Sequence, residues 1–172
     1  MKRIIVALIF ALSLPFASAA FGADVKLGSV DIQKVLLLSD AGKEAKEQLA
    51  GKANKYEGEK NTREEELKRL KADLEKQTVL LSEAARSAKE KDYQQKLKEY
   101  QRFLKDAQDD LQAKNDELTN KIVESIVKVI QEYGRKNGYT VIFVKNEGMI
   151  YVNDQADLTD EILKTFNAAK KK

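Results

Sequence analysis

After Pro15 the chain contains no further proline, and residues 41–136 run through a stretch dense in Ala, Lys, Glu, Gln and Leu. These are strong helix formers, and without a proline to break them the stretch is confined to long helices. Its apolar content then limits how those helices can pack. Residues 41–120 hold 25 apolar side chains among 80, ten of them alanine. That is enough for one seam between two helices and too little for a globular core.

The seam can be read by period. Alternate steps of four and three from Leu49 reach Ala53, Tyr56, Lys60, Arg63, Leu67, Leu70, Leu74, Gln77 and Leu81. The same steps from Tyr93 reach Leu97, Tyr100, Leu104, Ala107, Leu111, Lys114 and Leu118. Both runs have the 3.5-residue repeat of coiled-coil packing. Between them, Ser82 followed by Glu83 has the form of a helix N-cap and first turn. The pattern predicts an antiparallel hairpin over 41–119 with its tip near 81–83, its first helix about 60 Å long. No Gly or Pro marks the tip, so one continuous helix is the competing reading. Residues 43–117 carry 18 positive and 18 negative side chains, so the arm is charged throughout yet neutral in sum.

A packed body must therefore come from the two ends of the chain. Residues 25–38 read as a strand running into a helical turn. Residues 139–152 are β-branched and aromatic around Asn146-Glu147-Gly148, the pattern of a β-hairpin. A last helix begins near Thr159, with Asp160 and Glu161 suited to its positive end. The expected fold is mainly α with a small β part: a helical hairpin projecting from a discontinuous α+β body of residues 24–40 and 120–172. Its short strands leave open edges that other chains could cover. Val30, Ile142, Val144, Ile150 and Val152 are the candidate residues of that oligomerising body.

The first residues have a different character. Lys2 and Arg3 precede an apolar run over 4–14, then Pro15, then Ala17-Ser18-Ala19. This is the layout of a cleaved secretory leader. Residues 1–19 are the expected signal peptide, with cleavage as late as residue 23 left open. The run is about half of what a membrane span needs, and no Cys follows it to take a lipid. Cleavage after Ala19 reduces the 31 basic residues to 29 against 28 acidic ones, a net charge of +1. Such a balance does not favour nucleic acid as a partner.

Composition also bears on catalysis. With no Cys and no His, the chain lacks a thiol nucleophile, an imidazole base and a Cys/His metal cluster. Glu64-Glu65-Glu66 and Asp109-Asp110 are adjacent carboxylates, but neighbours on a helix diverge by about 100° and do not converge on one ion. Ser29, Ser39, Ser82, Ser87 and Ser125 have no His to activate them. The expectation is a binding or structural protein, not an enzyme, with no cofactor and no metal. The Lys170-Lys171-Lys172 tail is the one candidate for peripheral contact with membrane lipid, and a solvated terminus is its ordinary role.

The stretches KLGSVDIQKVLLLSDAGKEAKEQL at 26–49 and GYTVIFVKNEGMIYVNDQADLTDEILKTFN at 138–167, placed either side of a long charged hairpin, resemble the Skp/OmpH family of periplasmic chaperones. The resemblance implies a homotrimer with a joint body and three projecting arms. It implies that unfolded outer-membrane proteins are held in the cavity between the arms, without ATP, before membrane insertion. Known members are often strongly basic, and this chain departs from them in being nearly neutral. No Lys/Arg motif here matches the lipopolysaccharide site proposed on some members' arms. On this reading Val79, Leu80, Leu81 and Phe103 are the candidate client contacts, because two thin helices cannot bury them all. The alternative is a non-catalytic envelope adaptor that docks through its hairpin tips.

Overall fold

A computed structural model of the protein describes residues 25–77 and 82–169. The leader, the tip triplet Val79, Leu80 and Leu81, and residues 170–172 lie outside them. In chain order the elements are β1 (Leu27–Val30), α1 (Ile32–Leu38), α2 (Asp40–Gln77), α3 (Glu83–Lys136), β2 (Val141–Val144) and α4 (Thr159–Ala169), with one 3-10 turn at Asp154–Ala156.

Local chemistry sets each boundary. The Asp31 carboxylate accepts the Lys34 N–H at 2.8 Å and starts α1. Ser39, fully buried, forms the corner between α1 and α2. Its hydroxyl donates to the Leu36 carbonyl and accepts the Gly42 N–H, each at 3.0 Å. Gly42 has to be glycine in this geometry, since a Cβ there would collide with the Leu36 carbonyl. Ser82 caps α3 by accepting from the Ala85 N–H. At its far end the Tyr139 N–H reaches the Gly134 carbonyl at 3.0 Å. Gly138, at φ +69°, supplies the left-handed residue which that closing motif requires.

β1 and β2 pair in parallel, with Leu27 opposite Val141 and Val30 opposite Val144. This corrects the expected hairpin over 139–152. The turn forms, with the Met149 N–H on the Asn146 carbonyl at 2.9 Å, but the segment after it is not a strand and Ile150 is 100% exposed. A two-stranded hairpin is marginal alone, and β2 instead takes the edge that β1 offers. The other edge of β1 meets the chain again at an isolated bridge from Ser29 to Asp157.

The core draws on both ends of the sequence and on the root of α3. Val30, Val35, Ala41, Ile122, Ile126, Leu158, Ile162 and Phe166 form one buried cluster. α3 is 54 residues long, about 80 Å, so one helix serves both as the second half of the arm and as a wall of the body. α2, at 38 residues, matches the length expected of the first half.

A polar chain stitches the body together. The Asp31 N–H donates to the Thr159 hydroxyl at 3.0 Å, which donates to Asp157 at 2.5 Å, and Lys145 pairs with the same carboxylate at 2.9 Å. Burial pushes the Asp157 carboxyl up, but hydrogen bonds from the Thr159 hydroxyl, Lys145 and the Thr159 N–H outweigh it and hold it at about 2. The folded value lies below the ordinary one, so the stabilisation is complete above pH ~4 and disappears as pH falls to ~2. Asp157→Ala should cost about 1–2 kcal/mol in urea unfolding at pH 7 and leave a smaller acid dependence between pH 4 and 2.

Candidate functional site

The arm is a seam of half-buried side chains. Leu49, Ala53, Tyr56, Lys60, Arg63, Leu67, Leu70 and Leu74 are each partly covered on α2, the positions that the 3.5-residue period marks. On α3 the pattern holds at Tyr93, Leu97, Tyr100, Ala107, Leu111, Lys114 and Leu118. It slips at one layer, where Leu104 is 38% exposed.

Phe103 takes that layer instead. Its ring meets Tyr56 edge-on, with centroids 6.0 Å apart, and lies 4.6 Å from the Arg63 guanidinium. Phe103, a candidate client contact, is therefore half-buried against the other helix of the hairpin. A large ring finds an aromatic and a cationic partner across the hairpin.

Polar rungs replace the missing apolar layers. Asp110 accepts from Lys52 and from the Tyr56 hydroxyl, both at 2.5 Å. Lys96 pairs with Glu66 at 2.9 Å, and the Tyr100 hydroxyl donates to Glu64. The hydrogen bonds from Lys52 and then Tyr56 hold the Asp110 carboxyl below its usual range. The Tyr56 and Tyr100 hydroxyls are pushed up, chiefly by their hydrogen bonds to Asp110 and Glu64. These groups are solvated, so the rungs set register more than strength.

The body presents a second surface. Val25, Leu27, Val141, Phe143, Val144, Ile150 and Tyr151 are all exposed. Of the expected body residues, Val144 and Ile150 fall within this apolar face, while Ile142 and Val152 are half-buried. Val30 does not belong to it, being fully buried in the core of the single chain. A further exposed pair, Leu37 and Leu38 at the corner where the arm leaves the body, was not singled out from the sequence. The unbroken run Val35-Leu36-Leu37-Leu38 was its only sign, since a short helix can bury only part of four consecutive apolar residues.

Among the described residues no group of His, Cys, Asp or Glu is placed to hold a metal ion. Ser125 and Lys128 do have the Ser-x-x-Lys spacing of some nucleophilic sites, but the Ser125 hydroxyl donates to the Lys121 carbonyl of its own helix at 2.9 Å. Among the described residues no helix is long and apolar enough to cross a membrane.

Comparison with known proteins bears on this arrangement. No curated protein matches the chain. A crystal structure from Caulobacter crescentus CB15, of a candidate outer membrane chaperone described as OmpH-like, superposes with a TM-score of 0.79 at 16% identity. The likeness covers 84% of this chain and 85% of that one, and it shows a shared fold. The family described as "Outer membrane protein (OmpH-like)" matches residues 26–166. That match runs from the strand at one end through the whole arm and into the last helix, so body and hairpin are recognised together, and this chain belongs to the OmpH-like family.

Proposed function

We propose that the protein is an ATP-independent holdase of the periplasm, exported by a cleaved leader, that binds unfolded outer-membrane proteins between helical arms and keeps them from aggregating before insertion. The observation that carries this reading is the division of labour in the chain. A small body holds almost all of the buried apolar side chains, and an arm of two helices spends its length on a half-covered seam. An arm of this kind has surface to offer and no shaped catalytic pocket. Weak contacts from several arms sum to useful capture while each can still release.

Family membership supports the reading, as does the description of the Caulobacter crescentus structure as a candidate outer membrane chaperone. The body, residues 24–40 with 120–172, would assemble copies through its exposed strands, as a homotrimer by resemblance. Residues 41–119 would form the arm, with client contacts at the tip triplet Val79, Leu80 and Leu81 and around Phe103. Neither an enzymatic role nor a nucleic-acid partner is part of the proposal.

The test is dilution of an unfolded outer-membrane barrel out of denaturant into buffer with the mature protein and no nucleotide. Light scattering should fall severalfold at a modest molar excess of the protein. Scattering unchanged at tenfold excess would sink the reading and favour an adaptor that binds one folded partner.

A further inference from the structure

We propose that each arm carries its client in a groove along one face of the α2–α3 hairpin, between its root and its middle, and that the groove takes one extended segment with apolar side chains at alternate positions. This rests on the holdase reading above and names the part of the client and of the arm that meet. Two hollows lie between the helices. One, of about 500 Å³, is lined by Leu49, Ala53, Tyr56, Phe103, Ala107 and Leu111 among others. The second, of about 200 Å³, is lined by Leu36, Ala45, Leu49, Leu118 and Ile122 among others. Both are lined by Leu49 and Asn115, so they are neighbours along the hairpin.

The cause of the hollow is in the sequence. Ala45, Ala53 and Ala107 sit where larger residues would fill the space between the helices. The α2 lining runs from Gly42 to Lys60, a rise of about 27 Å. An extended chain spans that length in about eight residues, close to the ~9–11 residues of one transmembrane β-strand. Such a strand alternates apolar and polar side chains, so one edge of it can face an apolar floor.

The rim says what kind of segment fits. On the rim Lys60 pairs with Glu57 at 3.1 Å, and Lys46 stands at the root end. A neutral segment meets no opposing charge there. Gln112 already donates to Asp116, but among the described residues the side chains of Gln108 and Asn115 have no hydrogen-bond partner. They stand seven positions apart on α3, about 10 Å, which is close to three residues of extended chain. Free amides at that spacing can bond the backbone N–H and C=O groups that an unpaired strand leaves open.

The experiment uses the full mature protein and a fluorescent, end-capped ten-residue peptide in which Val or Tyr alternates with Ser or Thr. A second peptide of the same composition has its apolar residues at helical spacing. The parent should bind the alternating peptide at least about fivefold more tightly than the second. Ala53→Leu with Ala107→Leu fills the groove and should weaken binding about tenfold while helix content stays unchanged. Gln108→Ala with Asn115→Ala, on exposed positions that cannot unfold the arm, should weaken it about threefold. Gln33→Ala on the body, an exposed position outside both hollows, should leave peptide binding as it is. The groove proposal is overturned if the filled variant binds like the parent, if the body variant loses the peptide as the filled one does, or if filling the groove changes the oligomeric state, which would make a second copy its occupant. A parent that suppresses barrel aggregation but ignores the peptide overturns the groove alone. A parent that does neither overturns the holdase reading as well.

Discussion

Ile126→Ala should remove about 3–4 kcal/mol of stability, a large part of an ordinary margin of about 5–15 kcal/mol. Ile126 heads the largest fully buried side chains, and it lies in the cluster that Val30, Val35, Ile162 and Phe166 complete. Those residues come from β1, α1, α4 and the root of α3, so none can move into the space without breaking several contacts. Cavity and transfer costs therefore add. Leu104→Ala, one heptad layer from the middle of the arm and 38% exposed, should cost under about 1 kcal/mol. Urea unfolding followed by circular dichroism measures both. Equal losses would mean that the arm is packed as firmly as the body.

If copies assemble through the exposed body face as proposed, Ile150→Asp should yield monomers while leaving each chain folded. Ile150 is 100% exposed in the single chain, one of several exposed apolar side chains of the body with Val144, Phe143 and Tyr151. A charge there costs the isolated chain nothing. Once copies pack over that face, the charge would be buried without a partner, weakening association on the order of 100-fold or more. Ile142→Asp should behave differently. Ile142 packs against Gly134 of α3 inside the chain, so its loss should disturb folding as well as assembly. Light scattering with circular dichroism separates the two. An Ile150→Asp protein that stays oligomeric would place the interface elsewhere.

The arm was legible in the sequence because its physics is local and periodic. Seam positions from Leu49 to Leu74 recur in step with the helix, and the Ser82 cap needs only its neighbours. The start of α4 near Thr159 was readable for the same reason. Strand pairing was not local. β1 and β2 are separated by the whole arm, and nothing in YTVIFV says whether its partner runs parallel or lies across a turn. The β-branched and aromatic run Met149, Ile150, Tyr151 and Val152 has the look of a strand, but a strand also needs an edge to join. Phe103 and Leu104 are adjacent apolar residues, so period alone could not choose between them. Tyr56 and Arg63 across the hairpin settled it. The groove depends on which small residues face one another across two helices, a relation that appears only once the register is known.

The central claim is that the arms hold the client and the body holds the assembly. A photo-crosslinking scan tests it most directly, with benzophenone side chains at Gln95, Gln108 and Asn115 on the arm and at Gln33 and Glu147 on the body, all exposed positions. The mature protein is mixed with an unfolded outer-membrane barrel and illuminated. Crosslinks to the barrel should come from the arm positions, strongest at Gln108 and Asn115, and should vanish when the barrel is already folded. Crosslinks concentrated at Gln33 and Glu147, with the arm silent, would contradict the claim.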